Sequence, residues 1–291
     1  MRTEAYLFPR TIEECLVMLS RYQGEACVMA GGTDFMLGLN EKKFQVKAIV
    51  DITMILDLQV LEFTADALII GAGVTHAQVA LHPRIRKCLP VLADACASVG
   101  SPQIRNIATL AGNIVSARPA ADAAISLVAL GAQVEISSPR GKRAELVENL
   151  YAGVGKSKID STGELLIRII VPLPGPQGGT AFTRFAPREA LALPIVNAAA
   201  YVGTDGARIV QARIAIGPVA THPFRPLQAE QNLVGMKTDD YKGLEEVAHT
   251  ASKEANPRDS LLRGSCEYRR ALVKDLVARA LLAAVKNAIG G

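Results

Sequence analysis

The sequence predicts an α+β fold in two domains, and three observations predict it. Short apolar runs that read as buried strands, ACVMA at 26–30, VKAIVDI at 46–52 and ALIIGAG at 67–73, alternate with segments of helical apolar spacing. The stretch PLPGPQGGT at 172–180 puts three prolines and three glycines into nine positions, a composition break of linker type. Beyond it, strand-like runs joined by a tight turn give way to helices. At 291 residues and 49% hydrophobic side chains, the chain has apolar material for two cores.

The elements follow in order. Thr11 and Glu14 make a capping box after Pro9, and Ile12, Cys15, Leu16 and Leu19 share one helical face behind it. The three strand runs come next. LPVLADACASV at 89–99 reads as a helix, and PAADAAISLVALG at 119–131 as another, with Pro119 in its first turn and Gly131 as its C-terminal cap. QVEISSPRGKRAEL reads as a hairpin turned at Pro139 to Gly141, and ELLIRIIVP as a strand. After the linker, AFTRFA, IVNAAAYV and ARIVQARIAIGPV form a hairpin-rich sheet with a turn at Asp205 and Gly206. Two or three helices close the chain, the last being EYRRALVKDLVARALLAAVKNAIGG. The boundary falls near residue 176.

Two glycine loops carry the functional signal, AGGTD at 30–34 and TLAGN at 109–113. Each leaves a strand-like run and enters a helix-like one, so both can point backbone N–H groups at one anion. Gly31 and Gly32 remove the Cβ that would hold a phosphate off, and Thr33 is placed to cap the following helix. Gly112 and Asn113 repeat that logic.

Other chemistries find little support. A net charge of +4, six tyrosines, seven phenylalanines and no tryptophan do not make a nucleic-acid surface. Cys15, Cys27, Cys88, Cys96 and Cys266 form no CxxC pair and have no histidine at metal spacing, which argues against a zinc or iron–sulfur site. No apolar run reaches 18 residues, and MRTEAYLFPR carries charges where a leader would need an apolar core, so a cytoplasmic chain is expected. GAGVTH at 71–76 lacks the third glycine of a dinucleotide fingerprint. GVGKS at 153–157 has Leu150 where a P-loop needs glycine. Both read as structural loops. Of the four histidines, His76, His82, His222 and His249, only His76 lies near a glycine loop. A dinucleotide cradle without acid–base machinery suggests electron transfer, with the redox chemistry left to the cofactor.

With their flanking motifs, the two loops resemble the FAD-binding medium subunit of the molybdenum hydroxylases, the xanthine dehydrogenase and aerobic carbon monoxide dehydrogenase group. The likeness runs through YLFPRTIEECLVML, VDIT, IIGAGVTHAQV, SPQIRN, SARPAAD, GELLIRIIVPLP, AFTRFAPREALALPIVNAAA and PRDSLLRGSCEYRRALV. Within the group it is most like the separate flavin subunit of bacterial xanthine dehydrogenases. The resemblance implies a PCMH-type FAD-binding domain, shared with vanillyl-alcohol oxidase, over residues 1–176, with subdomains of about 1–55 and 56–176. A smaller α/β domain of carbon monoxide dehydrogenase flavoprotein type would occupy 177–291.

The resemblance also implies site residues. Cys27, Val28, Met29, Ala30, Gly31, Gly32, Thr33 and Asp34 match the loop that wraps the FAD pyrophosphate. Thr109, Ala111, Gly112, Asn113 and Ser116 match the second loop, and Asp122 an aspartate that reaches ribityl or ribose hydroxyls. Leu165 and Leu166 match a strand that packs on the isoalloxazine, although by their own pattern they are two core leucines. Arg184 matches a position that is commonly lysine, where a guanidinium would favour reduced flavin. Two departures stand out. Position 111 is usually glycine and is alanine here, which requires a negative φ. The usual aspartate downstream of the second-domain arginine is missing from EALALPIV after Glu189.

The expected function is that of an electron-transfer subunit carrying non-covalent FAD, since the first loop offers Thr33, Asp34 and Phe35 where a covalent link would need His, Cys or Tyr. A molybdopterin-binding large subunit would hydroxylate the substrate, and two [2Fe-2S] clusters on a small subunit would pass electrons to FAD and on to NAD or another acceptor. A dimer of such heterotrimers is expected, with no nucleic acid or membrane partner. The other readings are a stand-alone flavin oxidoreductase, disfavoured by the missing acid–base set, and a non-catalytic assembly subunit, disfavoured by the intact loops.

Overall fold

Three parallel strands and two helices open the fold, in a computed structural model that describes residues 3–188 and 191–290. β1 (Ala5–Leu7) leads into α1 (Ile12–Arg21), followed by β2 (Ala26–Met29), α2 (Phe35–Asn40) and β3 (Ala48–Asp51), with sheet order β1–β3–β2. Thr11 caps α1 by accepting the Glu14 N–H at 3.1 Å. The return arm of the box reaches one residue further back than predicted, since Glu14 accepts the Arg10 N–H at 2.7 Å. The sheet is apolar on both faces. Ala48 and Val50 point into the main core, and Ile49 packs with Cys27, Met29 and Phe35 on the side of α2.

The second subdomain is an antiparallel sheet interrupted by helices. β4 (Leu61–Phe63) and β5 (Ala67–Gly71) precede α3 (His76–Leu81), α4 (Pro83–Cys88), α5 (Pro90–Ala97), α6 (Pro102–Arg105), α7 (Leu110–Val115) and α8 (Asp122–Ala129). β6 (Gln133–Ser138), β7 (Gly141–Leu146), the small hairpin of β8 (Tyr151–Gly153) and β9 (Lys156–Ser157), and β10 (Leu165–Pro172) follow. The sheet order β4–β5–β10–β6–β7 makes β10 central, so most of its residues are buried and its sequence is apolar except for Arg168, which pairs with Glu135 at 2.8 Å. Two predicted details change. α8 begins at Asp122 rather than Pro119, because Ala121 is extended and takes the N-cap position. GVGKS is the turn of the β8–β9 hairpin.

The third sheet, β11 (Gly178–Phe185), β12 (Val196–Thr204) and β13 (Ile209–Gly217), is antiparallel and carries α9 (Leu227–Leu233), α10 (Tyr241–Glu254) and α11 (Cys266–Ile289). Glu189, which bears on the missing aspartate, lies outside the described residues. The predicted linker is shorter than its composition suggests, since Pro172 ends β10 and Gly178 opens β11. Gly179 is there for close packing: a Cβ would lie 1.9 Å from the Ala284 carbonyl oxygen of α11.

Both faces of this last sheet are buried, which explains the alanine run of β12. Ala198, Ala200 and Val202 pack toward α10 and α11, whereas Ala199 and Ala215 belong to the core of the first domain. Small side chains on that second face let β12 and β13 come close to α8. Polar clamps flank the contact. Glu148 accepts from Arg225 Nη1 at 2.8 Å and from Arg213 Nη2 at 3.2 Å, and Glu230 binds Arg225 Nη2 at 2.5 Å. Arg184 meets Asp122 on the other side. Among the described residues, no helix is long and apolar enough to cross a membrane.

Candidate functional site

The two glycine loops meet backbone to backbone. Gly31 lies so close to the segment before the second loop that a Cβ would be 1.9 Å from the Ile107 carbonyl oxygen and 3.1 Å from Ala108 Cα. Its lack of a side chain is therefore required by the protein itself, not only by a ligand. Gly32 has φ +69°, a conformation that favours glycine.

The first loop leaves donors free. Among the described residues, the backbone N–H groups of Gly31, Gly32, Thr33 and Asp34 have no protein acceptor. Thr33 does not cap α2 as predicted. Asp34 holds the N-cap position and is already helical (φ −89°, ψ −37°), so no side chain turns back onto the helix start. Unpaired N–H groups in succession, on half-buried Gly31, Gly32 and Thr33 and exposed Asp34, form a concavity suited to a phosphate oxygen.

The second loop works differently from the first. Thr109 caps α7, its Oγ1 accepting the Gly112 N–H at 3.0 Å, and its carbonyl takes the Asn113 N–H at 3.1 Å. Gly112 thus offers open space rather than a donor, because a Cβ there would meet only Thr109 Oγ1, at 3.1 Å. Ala111 has no positive φ, so alanine fits at that position, and its side chain is buried in the core. Its backbone N–H is the donor left free at this helix start among the described residues. Asn113 supplies a further signal: its side-chain oxygen is buried and has no partner among the described residues. Ser116, half-buried, ends α7 and donates to the Asn113 carbonyl at 3.1 Å.

A cleft of about 980 Å³ opens where the loops meet, lined by Met29, Ala30 and Gly31 on one side and by Ile107 and Thr109 on the other. Asp51 and Thr53 form its floor. Tyr6 donates to Asp51 at 2.9 Å, and burial, with Asp51 beside it, pushes the phenol up to about 12. GAGVTH, set aside on sequence, belongs here: Gly73, Thr75 and Gln78 line the cleft, and Thr75 bridges to Thr109. His76 faces away, buried at 1% exposure with neither ring nitrogen partnered. Its pKa falls to about 4, through burial and then the nearby Arg105, which leaves it neutral.

Asp122, at the start of α8, is buried and paired. Arg184 Nε approaches its two oxygens at 3.2 and 3.3 Å, and Asn197 Nδ2 donates to Oδ1 at 2.5 Å. Burial raises the Asp122 pKa, opposed by Arg184 and then by the Asn197 hydrogen bond. Arg184 also donates to the Ala192 carbonyl, so its guanidinium is engaged by that carbonyl as well as by Asp122. α7 connects the two ends of the site, and at 1.5 Å per residue its six residues span about 9 Å.

The side chains of four of the predicted residues pack against the protein's own cores. Leu165 and Leu166 are 2% and 4% exposed and pack in the core, as their own pattern suggested. Cys27 and Val28 sit in β2 with their side chains on the two faces of the sheet. Burial, with Asp160 nearby, pushes the Cys27 thiol up to about 11, which keeps it protonated and unreactive. Sequence reasoning missed Asn197 and Ala117. Asn197 had a signal, a lone amide within the apolar run IVNAAAYV. Ala117, buried with φ +48° directly after Ser116, had none, because only coordinates reveal a left-handed alanine.

Residues 2–174 match the family described as the FAD binding domain in molybdopterin dehydrogenase, and residues 181–284 the carbon monoxide dehydrogenase flavoprotein C-terminal domain. The chain belongs to the FAD-binding medium subunits of the molybdenum hydroxylases. It is 30% identical over 91% of both chains to the xanthine dehydrogenase FAD-binding subunit of Escherichia coli O157:H7. It is 29% identical, over 81% of each, to the nicotinate dehydrogenase FAD-subunit of Eubacterium barkeri. Quinoline 2-oxidoreductase from Pseudomonas putida 86 has a chain that superimposes with a TM-score of 0.89 at 28% identity, covering 99% of both. As in these relatives, the medium subunit is part of an oxidoreductase. The free donors of the first loop, the orphaned Asn113 oxygen and the nearby cleft fit FAD, although of these groups only Gly31 lines the cleft itself.

Proposed function

We propose that this FAD-binding subunit receives electrons from two [2Fe-2S] clusters on a small partner subunit and delivers them to NAD or another acceptor. A molybdopterin-binding large subunit would hydroxylate the substrate, within a cytoplasmic dimer of heterotrimers. FAD supplies the redox chemistry when bound. The observation that carries this reading is the run of unpaired N–H groups at Gly31 to Asp34, set against a second loop. These groups and the Ala111 N–H donate to the pyrophosphate, with Met29 and Ala30 walling its cleft. Thr109, Gly112, Asn113 and Ser116 line the path along α7, and Asp122 accepts from ribityl or ribose hydroxyls. Cys27 and Val28 lead into the loop that wraps the pyrophosphate, Leu165 and Leu166 lie in the strand that packs on the isoalloxazine, and Arg184, paired with Asp122, brings its charge near the flavin. The flavin domain extends to about residue 176, between the end of β10 and the start of β11.

Two experiments test the reading. Co-purification should recover a molybdopterin chain and an iron–sulfur chain with the flavin, whereas the rigorously purified single chain should not hydroxylate purines, aldehydes or N-heterocycles. Turnover by that single chain would favour a stand-alone flavin oxidoreductase. Acid precipitation of loaded protein should leave all yellow colour in the supernatant, because Thr33, Asp34 and Phe35 offer no attachment atom. Colour in the pellet would refute non-covalent binding.

A further inference from the structure

The carboxylate of Asp122 is aimed from the second domain. Asn197, fully buried in β12, donates to Asp122 Oδ1 at 2.5 Å across the domain contact. Its own Oδ1 has no partner among the described residues and faces Gly217, where a Cβ would come within 2.8 Å of it. A buried acceptor without a donor costs stability, and an apolar side chain of the same size would avoid that cost. The amide therefore has a use other than packing, and its single hydrogen bond goes to Asp122. That bond loads Oδ1, Ser98 adds a further side-chain hydrogen bond, and Oδ2 receives the longer Arg184 contact at 3.2 Å, so the carboxylate keeps acceptor capacity for a hydroxyl.

We propose that Asn197 is a positioning residue for the cofactor: it acts through Asp122, holding the orientation and the charge with which that carboxylate accepts from FAD hydroxyls. The second domain thereby sets flavin affinity in the first. The proposal rests on the assignment of Asp122 to FAD made above.

Charge enters because an ionised carboxylate is the stronger acceptor. The groups facing Asp122 are Arg184 of β11, Asn197 of β12, and Ser98 and the Cys96 thiol from the end of α5. Burial favours the protonated acid and the Asn197 N–H favours the anion. Without Asn197 the carboxyl should hold its proton to higher pH, and the acid-side loss of FAD affinity should move up with it.

The test is a double-mutant cycle on the full chain, stripped of flavin and titrated with FAD across pH. Asn197→Ala should bind FAD about tenfold to a hundredfold more weakly, the range of a hydrogen bond to a charged group, and should show the upward pH shift. Asp122→Ala should bind weakly as well, and the double variant should be no weaker than Asp122→Ala alone. Full FAD affinity in Asn197→Ala, or additive losses in the double variant, would overturn the proposal. Normal binding by Asp122→Ala would instead remove the assignment of Asp122 on which it rests. A purely structural asparagine would lower the unfolding midpoint of the flavin-free chain without moving the pH profile, and this result would also overturn it. If the alanine variant does not fold, Asn197→Ser keeps a small polar group in the strand and the same cycle is read on it.

Discussion

Gly31→Val is expected to abolish FAD binding and to destabilise the first domain at the same time. The added Cβ would meet the Ile107 carbonyl oxygen at 1.9 Å, and both atoms belong to backbone, so no rotamer change relieves the clash. The loops must separate. Overpacking costs about 1–3 kcal/mol where side chains can adjust, and a backbone collision should reach or exceed the top of that range. Gly112→Val gives the contrasting case. Gly112 is exposed and its Cβ would approach only Thr109 Oγ1, at 3.1 Å, so the fold should survive while the cofactor side of α7 is obstructed. Flavin absorbance after gel filtration, with an unfolding midpoint for each variant, separates the two effects. Gly31→Val should lose both, and Gly112→Val flavin alone. Normal flavin content in Gly112→Val would show that α7 does not face the cofactor.

The contrast also shows what could be read in the sequence. Both glycine loops and their order were legible because glycine runs between apolar segments are local signals. The family resemblance then supplied the fold. The physical reason for each glycine was not legible. Gly31 answers to Ile107, 76 positions away, and Gly179 to Ala284, and such close approaches exist only in the folded molecule. Thr33 followed the cap pattern but lost the role because Asp34 was already helical. GAGVTH failed a dinucleotide fingerprint and was discounted, yet it lines the same cleft, because a motif test measures agreement with one template and not proximity to a site. Pairings between domains were the least visible. Nothing in AFTRFA or SARPAAD indicates that Arg184 and Asp122 neutralise each other.

That pairing decides what Arg184→Ala should do. As an isolated cation beside flavin, Arg184 could be removed with the fold intact. Paired with Asp122, it cannot. The two side chains are only 12% and 6% exposed, and loss of the guanidinium leaves a buried carboxylate held by Asn197 and Ser98. Removing one partner of a buried pair costs about 3–5 kcal/mol, and here the loss should appear as earlier separation of the two domains. The sign of the pH dependence follows. Burial already raises the Asp122 pKa and Arg184 opposes it, so the variant raises it further. An acid with a raised native pKa binds more protons folded than unfolded, and stability then falls as pH rises above the ordinary carboxylate range. Arg184→Ala should thus be most destabilised near neutral pH and should recover on acidification through the raised native pKa. The flavin midpoint should drop by tens of millivolts, since the uncompensated charge is now negative and about 30 mV corresponds to ~1.4 kcal/mol for a two-electron couple. Urea unfolding at neutral and mildly acidic pH, with redox titration of loaded protein, reads both effects. Equal destabilisation at the two pH values would mean that Asp122 is not the group left unpaired.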